Sequence, residues 1–231
     1  TAVHDMHTRV IAGESQDMNR MLQISDTTLV GEDVSLEDTM RHVYVGHNAA
    51  FERCDLHFKI THPRNATLAK SVFHSSHIYA DIPLQCADWT SCHVRNCRFH
   101  GRYLGNDFGY HPNPTLPFAG VIADCDFSDA ELDGCRFFGC DMSSITLPKW
   151  PCFTLLHPIL STFERIDQME HPPPGLSWWN KIDGELYRSY EPTEVAVSYF
   201  APALVHSLKR DVDATIDELQ DFLDTCYNVL M

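Results

Sequence analysis

The sequence predicts a mainly β fold: a chain wound into a four-sided coil, followed by an α-helical C-terminal region. Three observations predict it. Over residues 121–147, which read VIADCDFSDAELDGCRFFGCDMSSITL, a large apolar residue stands at every fifth position: Ile122, Phe127, Leu132, Phe137, Met142 and Leu147. Two residues before each of these comes a small one, Gly120, Cys125, Ala130, Cys135 and Cys140, with Ile145 the exception. The other phases are mostly polar. A period of five is neither the 3.6 of a helix nor the 2 of a strand. A chain that turns a corner every five residues points one large and one small side chain inward per face. Its turns stack at strand spacing, about 4.7–4.9 Å, and backbone groups pair with the turns above and below. Each layer then touches only its neighbours, as in a solenoid.

Residues 1–47 fit this lattice poorly and are expected to form an irregular first coil or cap. SQDMNRML reads as a short helix with Ser15 as N-cap. Residues 28–30 and 34–36 read as short strands around the turn GED. A solenoid end is a sheet edge, and edges need covering.

Residues 48–147 hold the coil. Phe51 and Leu56 sit on the lattice with Ala49 and Cys54 as small partners. The pattern slips over HFKITHPRN, then resumes at Leu68, Phe73 and Ile78 with Ala66, Ser71 and Ser76. It slips again at YADIPLQ. Trp89, Val94, Phe99 and Leu104 follow, partnered by Ala87, Cys92, Cys97 and Arg102, the last a poor inward residue. GNDFGYHPNPTLPFAG reads as a loop extruded from one corner.

Residues 148–231 are expected to form a Pro-rich junction and a helical cap. Proline brings no ladder N–H, so LPKWPCFTLLHP ends the stack. TEVAVSYFAPALVHSL reads as a helix with Thr193 as cap and a kink at Pro202. DVDATIDELQDFLDTCYNVLM reads as an amphipathic helix. Its Val212, Ile216, Leu219, Leu223, Cys226 and Leu230 step by four and three, a heptad seam. Asp211 and Asp213 suit the dipole at its start. Such a seam caps the last coil or, alternatively, joins two copies as a homodimer.

The segments CDFSD, AELDG, CRFFG and CDMSS resemble the pentapeptide-repeat family, whose pattern is roughly A-(D/N)-L-x-x. The resemblance implies a right-handed quadrilateral β-helix with roughly four repeats per turn. It also implies a function to weigh, because some members protect DNA gyrase with an acidic coil that imitates duplex DNA.

Of nine cysteines, Cys54, Cys92, Cys97, Cys125, Cys135 and Cys140 occupy the small inward phase. Free cysteine packs there as a small hydrophobe. An odd total without an apolar leader fits a reducing, cytoplasmic setting. The C-x4-C pairs Cys92/Cys97 and Cys135/Cys140 would face a dry interior with no converging histidine, so no metal is expected. His4/His7 and His74/His77 are spaced H-x-x-H. On a helix each pair would share a face, but the first lies at a terminus and the second straddles a corner. No phosphate loop, dinucleotide fingerprint, nucleophile elbow or zinc-protease motif occurs. Neither a cofactor nor catalytic residues are expected.

No apolar run approaches the length of a membrane span. The net charge is −15, split as −5 over residues 1–47, −3 over 48–147 and −7 over 148–231. Such a chain is a poor ligand for nucleic acid or an anionic membrane and suits a basic partner. Asp124, Asp126, Asp129, Glu131, Asp133 and Asp141 fall on outward phases near the end of the coil, opposed by Arg136 alone, and form the candidate partner-binding face. The expected function is a non-catalytic protein-binding scaffold. The alternatives are a DNA mimic acting on a type II topoisomerase and an enzyme with its site at the coil/C-terminal junction. There Trp150, His157, His171, Trp178 and Trp179 line a pocket or plug the coil end.

Overall fold

The computed structural model describes residues 21–38, 42–63, 65–110, 120–189, 194–209 and 214–231. The expectations for Ser15, His4, His7, Thr193, Asp211, Val212, Asp213 and most of the extruded loop lie outside these residues.

The chain is a four-faced β-solenoid. The first coil runs through β1 (Met21–Ile24), β2 (Thr28–Val30) and β3 (Asp33–Glu37), the second through β4 (His42–Gly46), β5 (Ala50–Glu52) and β6 (Asp55–Lys59). Then come β7 (Ala66–Ala69), β8 (Val72–His74) and β9 (His77–Gln85), followed by β10 (His93–Arg95), β11 (Arg98–Leu104) and β12 (Asp107–Gly109). The last coil strands are β13 (Val121–Ala123), β14 (Asp126–Asp133) and β15 (Cys135–Phe138). Face one stacks β1, β4 and β7, and higher up Asp88, β12 and β15. Face two stacks β2, β5, β8, β10 and β13. Face three stacks β3, β6, β9, β11 and β14, all parallel. The last three of these strands bend onward to make face four.

The inward lattice holds where the sequence predicts it. Phe51, Phe73, Ile78, Trp89, Phe99, Phe127, Leu132 and Phe137 are buried, as are the small partners Ala49, Cys54, Ser71, Ser76, Cys92, Cys97, Cys125 and Cys135. Each large inward side chain contributes roughly 1.5–3 kcal/mol by leaving water. The rings stack from coil to coil, Phe51 on Phe73 at 5.1 Å and Phe99 on Phe127 at 4.1 Å. The small position does more than fill space. At five of these positions the side chain donates to the carbonyl two residues back: Ser71 to Ala69 (3.2 Å), Ser76 to His74 (3.0 Å), Cys97 to Arg95 (3.3 Å), Asn106 to Leu104 (3.1 Å) and Cys125 to Ala123 (3.2 Å). That carbonyl sits at the corner, where the chain leaves one face for the next.

The corners share one backbone conformation. Between faces two and three, Gly31, Arg53, Ser75, Asn96 and Asp124 all have φ between 50° and 67°. This left-handed region costs a non-glycine residue about 1–2 kcal/mol. Stacking repays it: the N–H of Gly31 meets Glu52 O at 2.9 Å, that of Arg53 meets His74 O at 3.0 Å, and that of Ser75 meets Arg95 O at 3.0 Å.

Three expectations are corrected. Residues from Met21 onward form regular coil strands, not an irregular cap, with Leu22, Ile24, Val43 and Val45 buried in register. Their inward residues alternate with period two, which hides the period of five. Secondly, Leu104 and Arg102 are not the inward pair of their layer. Gly101, with φ at +92°, shifts the phase by one, so Tyr103 is buried and Arg102 points outward to Glu131. Thirdly, the stretch VAVSYF is a strand, not the start of a helix.

That strand builds the C-terminal unit. The order is β16 (Cys152–Leu155), α1 (Leu160–Asp167), α2 (Pro174–Trp179), a π-turn over Asn180–Gly184, α3 (Glu185–Ser189), β17 (Val195–Phe200), α4 (Ala201–Leu208), α5 (Ile216–Leu223) and β18 (Val229–Leu230). β17 pairs antiparallel with β15 on one side and with β16 on the other. The parallel face of the coil therefore continues into an antiparallel sheet. Ala196 joins the coil core, whereas Val195, Val197 and Tyr199 join a second core with Phe153, Phe163 and Trp179. A strand buried on both sides reads as a continuous apolar run, which periodicity cannot tell from a helix.

Gly101→Ala is expected to be among the most damaging single-methyl additions. The new Cβ would lie 2.4 Å from Ala80 O at a left-handed φ. Urea unfolding should show a loss of about 3 kcal/mol.

Candidate functional site

The outer side of face three carries a continuous array of polar and aromatic groups. Strand pairing fixes two outward rows. One runs Asp33, Asp55, His77, Arg98, Asp126; the other runs Ser35, His57, Tyr79, His100, Asp129. Because one coil rises by the thickness of a stacked ring plus a small gap, flat side chains in register lie face to face. His57 stacks on Tyr79 at 4.6 Å and 5°, and Tyr79 on His100 at 4.5 Å and 12°. His77 Nδ1 lies 3.0 Å from His100 Nε2. One ring must donate and the other accept, so the two are never both protonated while this contact lasts.

Carboxylates close both ends of the ladder. His57 Nδ1 meets Asp81 at 3.1 Å, its Nε2 lies 3.7 Å from Asp33, and His100 Nδ1 lies 3.5 Å from Asp129. Burial, together with neighbouring His77, pushes His100 below its ordinary range, against the pull of Asp129. Burial and the charge of Asp55 raise Tyr79. The groups are half-buried and held by their neighbours, a rigid amphipathic strip with charged margins.

The six predicted acids do not form one flank. Asp126, Asp129 and Glu131 share β14, but β11 supplies their cations. Arg98 meets Asp129 at 2.8 Å and Asp126 at 3.4 Å, and Arg102 pairs with Glu131. Hydrogen bonds from Ser128, aided by Arg98, hold Asp126 below the usual carboxylate range. Asp124 stands at a left-handed corner. Asp141 caps a single 3-10 turn, accepting from Ser143 N at 3.0 Å. Asp133 is drawn under the C-terminal unit, where it accepts from Phe200 N at 3.3 Å, and burial raises it. Arg136, read from sequence as the lone opposing charge, makes a two-pronged pair with Asp107 at 2.7 Å on face one. Sequence spacing missed these partners because they lie one coil away.

The seam Ile216, Leu219, Leu223, Cys226, Leu230 is not one helical face. α5 ends at Leu223, and Leu230 lies in β18. Leu219 and Leu223 are buried in this chain's second core, Cys226 packs partly against it, and Ile216 and Leu230 are exposed. Thr215 caps the helix through a reciprocal box with Glu218. The junction group divides likewise: Trp179 is wholly buried, His157 and His171 are exposed, and none of the five converges on a common site.

All nine cysteines are free thiols. Burial pushes Cys97 up to about 11 and Cys92, Cys125, Cys135 and Cys140 up to about 12, which makes them poor nucleophiles and poor ligands at neutral pH. Among the described residues no group of three or more His, Cys, Asp or Glu side chains is arranged to hold a metal ion. None of the helices described is long and apolar enough to cross a membrane.

No family model matches the chain, and no curated protein matches it. Among solved structures it is similar to a trypsin-treated form of QnrB1, a plasmid-mediated fluoroquinolone resistance protein, at 12% identity. That match covers 62% of this chain and 90% of the other, with a TM-score of 0.13. A likeness this slight carries no weight for fold or function.

The ladder makes a titration testable. His100 should titrate below an ordinary histidine in imidazole NMR spectra, and Asp129→Asn should lower it further by removing the charge that favours its protonated form. Because the folded state binds this proton less readily than the unfolded state, the stability tied to it is fully present above the ordinary imidazole range. It is lost as pH falls through the folded-state value. A titration at or above the ordinary value would contradict the packing described.

Proposed function

We propose that the chain is a non-catalytic protein-binding scaffold and a member of the pentapeptide-repeat family, with the outer side of face three as its working surface. The single observation that supports this reading most is the ladder His57–Tyr79–His100, stacked in register on a five-stranded parallel sheet. A tyrosine held rigid among imidazoles offers contact area without loss of side-chain freedom on binding. Charged residues at the margin of an aromatic strip match the ordinary anatomy of an interface. The net charge of −15 favours a partner with basic character. Nine free thiols suit a reducing compartment, in keeping with residence in the cytoplasm.

The alternative is a DNA mimic acting on a type II topoisomerase. It asks for a strip of uncompensated negative charge. Arg98 and Arg102 compensate the acids of β14, and this weighs against mimicry.

Affinity capture from the native host, with wild-type chain beside the Tyr79→Ala/His57→Ala double variant, tests the scaffold reading. A partner held by the ladder should be retained at least about 10-fold less by the variant. Equal retention would move the interface elsewhere. A supercoiling assay tests the alternative. No effect is expected from the wild type; an effect abolished by charge reversal at Asp126, Asp129 and Glu131 would replace the scaffold reading with mimicry.

A further inference from the structure

A groove of about 490 Å³ opens on the C-terminal unit, between the end of α1, residues 168–173 and α5. Met169, Pro173, Leu176 and Phe222 give it an apolar lining, with Arg165, Glu218 and Asp221 among them. Its volume falls in the range of ligand pockets, about 300–1,000 Å³. Leu176 and Phe222 belong to the second core, and Met169 packs against it half-buried. The groove is therefore an edge of that core, backed by side chains the unit already holds in place.

The charges beside it are arranged against the interest of the chain alone. Asp217, Asp221 and Asp224 follow one another by four and three residues along the exposed side of α5 and its C-cap. Like charges at this spacing repel one another. Asp221 and Asp224 also stand at the C-terminal end of the helix, where the dipole favours cations. The last turn of α5 holds no basic residue, and none of the three carboxylates makes a hydrogen bond or ion pair among the described residues. Glu218 is spent on the cap with Thr215. Arg165, the one cation lining the groove, gives its Nε to Thr225 Oγ1 at 3.0 Å and pairs with no acid. On face three, by contrast, the acids of β14 meet arginines.

We propose that this groove docks a basic amphipathic helix of a partner protein, with large apolar side chains seated on Met169, Leu176 and Phe222 and lysines or arginines facing Asp217, Asp221 and Asp224. Charge complementarity selects the occupant. The three acids mark one turn each along about 10 Å of helix, and a second helix laid beside α5 repeats that spacing with its own side chains. An apolar helix face set in a groove, with charges along its flanks, is an established way for one protein to hold another. The basic flank would relieve both the repulsion along α5 and the misfit with its dipole. The site is separate from face three and does not need the ladder to bind anything.

Fluorescence anisotropy of the full chain with a labelled helical peptide of leucine and lysine, its leucines on one face, tests the proposal. Two control peptides accompany it. One has the same composition in scrambled order, which keeps the charge and loses the apolar face; the other has glutamate for lysine. Saturable one-site binding of the amphipathic basic peptide is expected, at least about 10-fold tighter than either control. The Asp221→Lys/Asp224→Lys double variant should weaken it by at least about 10-fold. Its melting temperature should be unchanged or higher, because both changes suit the helix dipole. Met169→Glu, in the groove wall, should weaken binding by about 10-fold as well. The Tyr79→Ala/His57→Ala variant should bind the peptide as the wild type does. Equal affinity for the scrambled peptide, full affinity in the Asp221/Asp224 variant, or loss of binding in the ladder variant would each overturn the proposal.

Discussion

The backbone of a coil has nowhere to place its hydrogen bonds except in the coils above and below. Everything else in this molecule follows from that constraint. It forces corners into register, and a corner in register must repeat one conformation. Arg53, Ser75 and Asn96 accept a left-handed φ because each N–H then meets a carbonyl of the next coil. It also explains the choice of small inward residue. Alanine would fill the space, but Ser76, Cys97 and Cys125 add a second donor to the corner carbonyl, which already accepts an N–H from the neighbouring coil. Finally, it requires that the top of the stack be closed. β15 is the last coil strand of face one, and β17 completes its pairing in the antiparallel sense. The C-terminal unit is therefore a continuation of the sheet as well as a cover.

The same constraint decides what was legible in the sequence. Large and small inward residues of faces two and three alternate on a fixed beat, and Phe51, Phe73, Phe99 and Phe127 could be placed from it. The beat fails where pairing tolerates an extra residue. Gly101 absorbs one at the bend from face three to face four, and Tyr103 takes the inward place that spacing assigned to Leu104. In the first coil, Leu22/Ile24 and Val43/Val45 put two inward residues on a single strand, so the local period is two. β17 lies between two cores, and its burial is a tertiary fact that no local pattern contains. Charge pairing was illegible for a related reason. Arg98 and Asp129 are distant in sequence yet adjacent in space, because one coil with its inserted loop separates them.

A rigid outer surface results. On face three, polar and aromatic groups pair across coils: His57 with Asp81, Arg98 with Asp129, ring upon ring. Such a surface is rigid, and what it offers is shape and aromatic area with charged margins.

The central claim is that stacked coils satisfy one another's backbone. Amide hydrogen exchange measures this most directly at the N–H groups that cross between coils: Val72 to Ala49 O, His93 to Ser71 O and Val121 to Cys92 O, each at 2.9 Å. The account predicts that these amides exchange together, slower than in an unfolded chain by at least about 10⁴-fold, as one cooperative unit. Exchange of His93 or Val121 within the time expected for an open loop, independently of Val72, would contradict it.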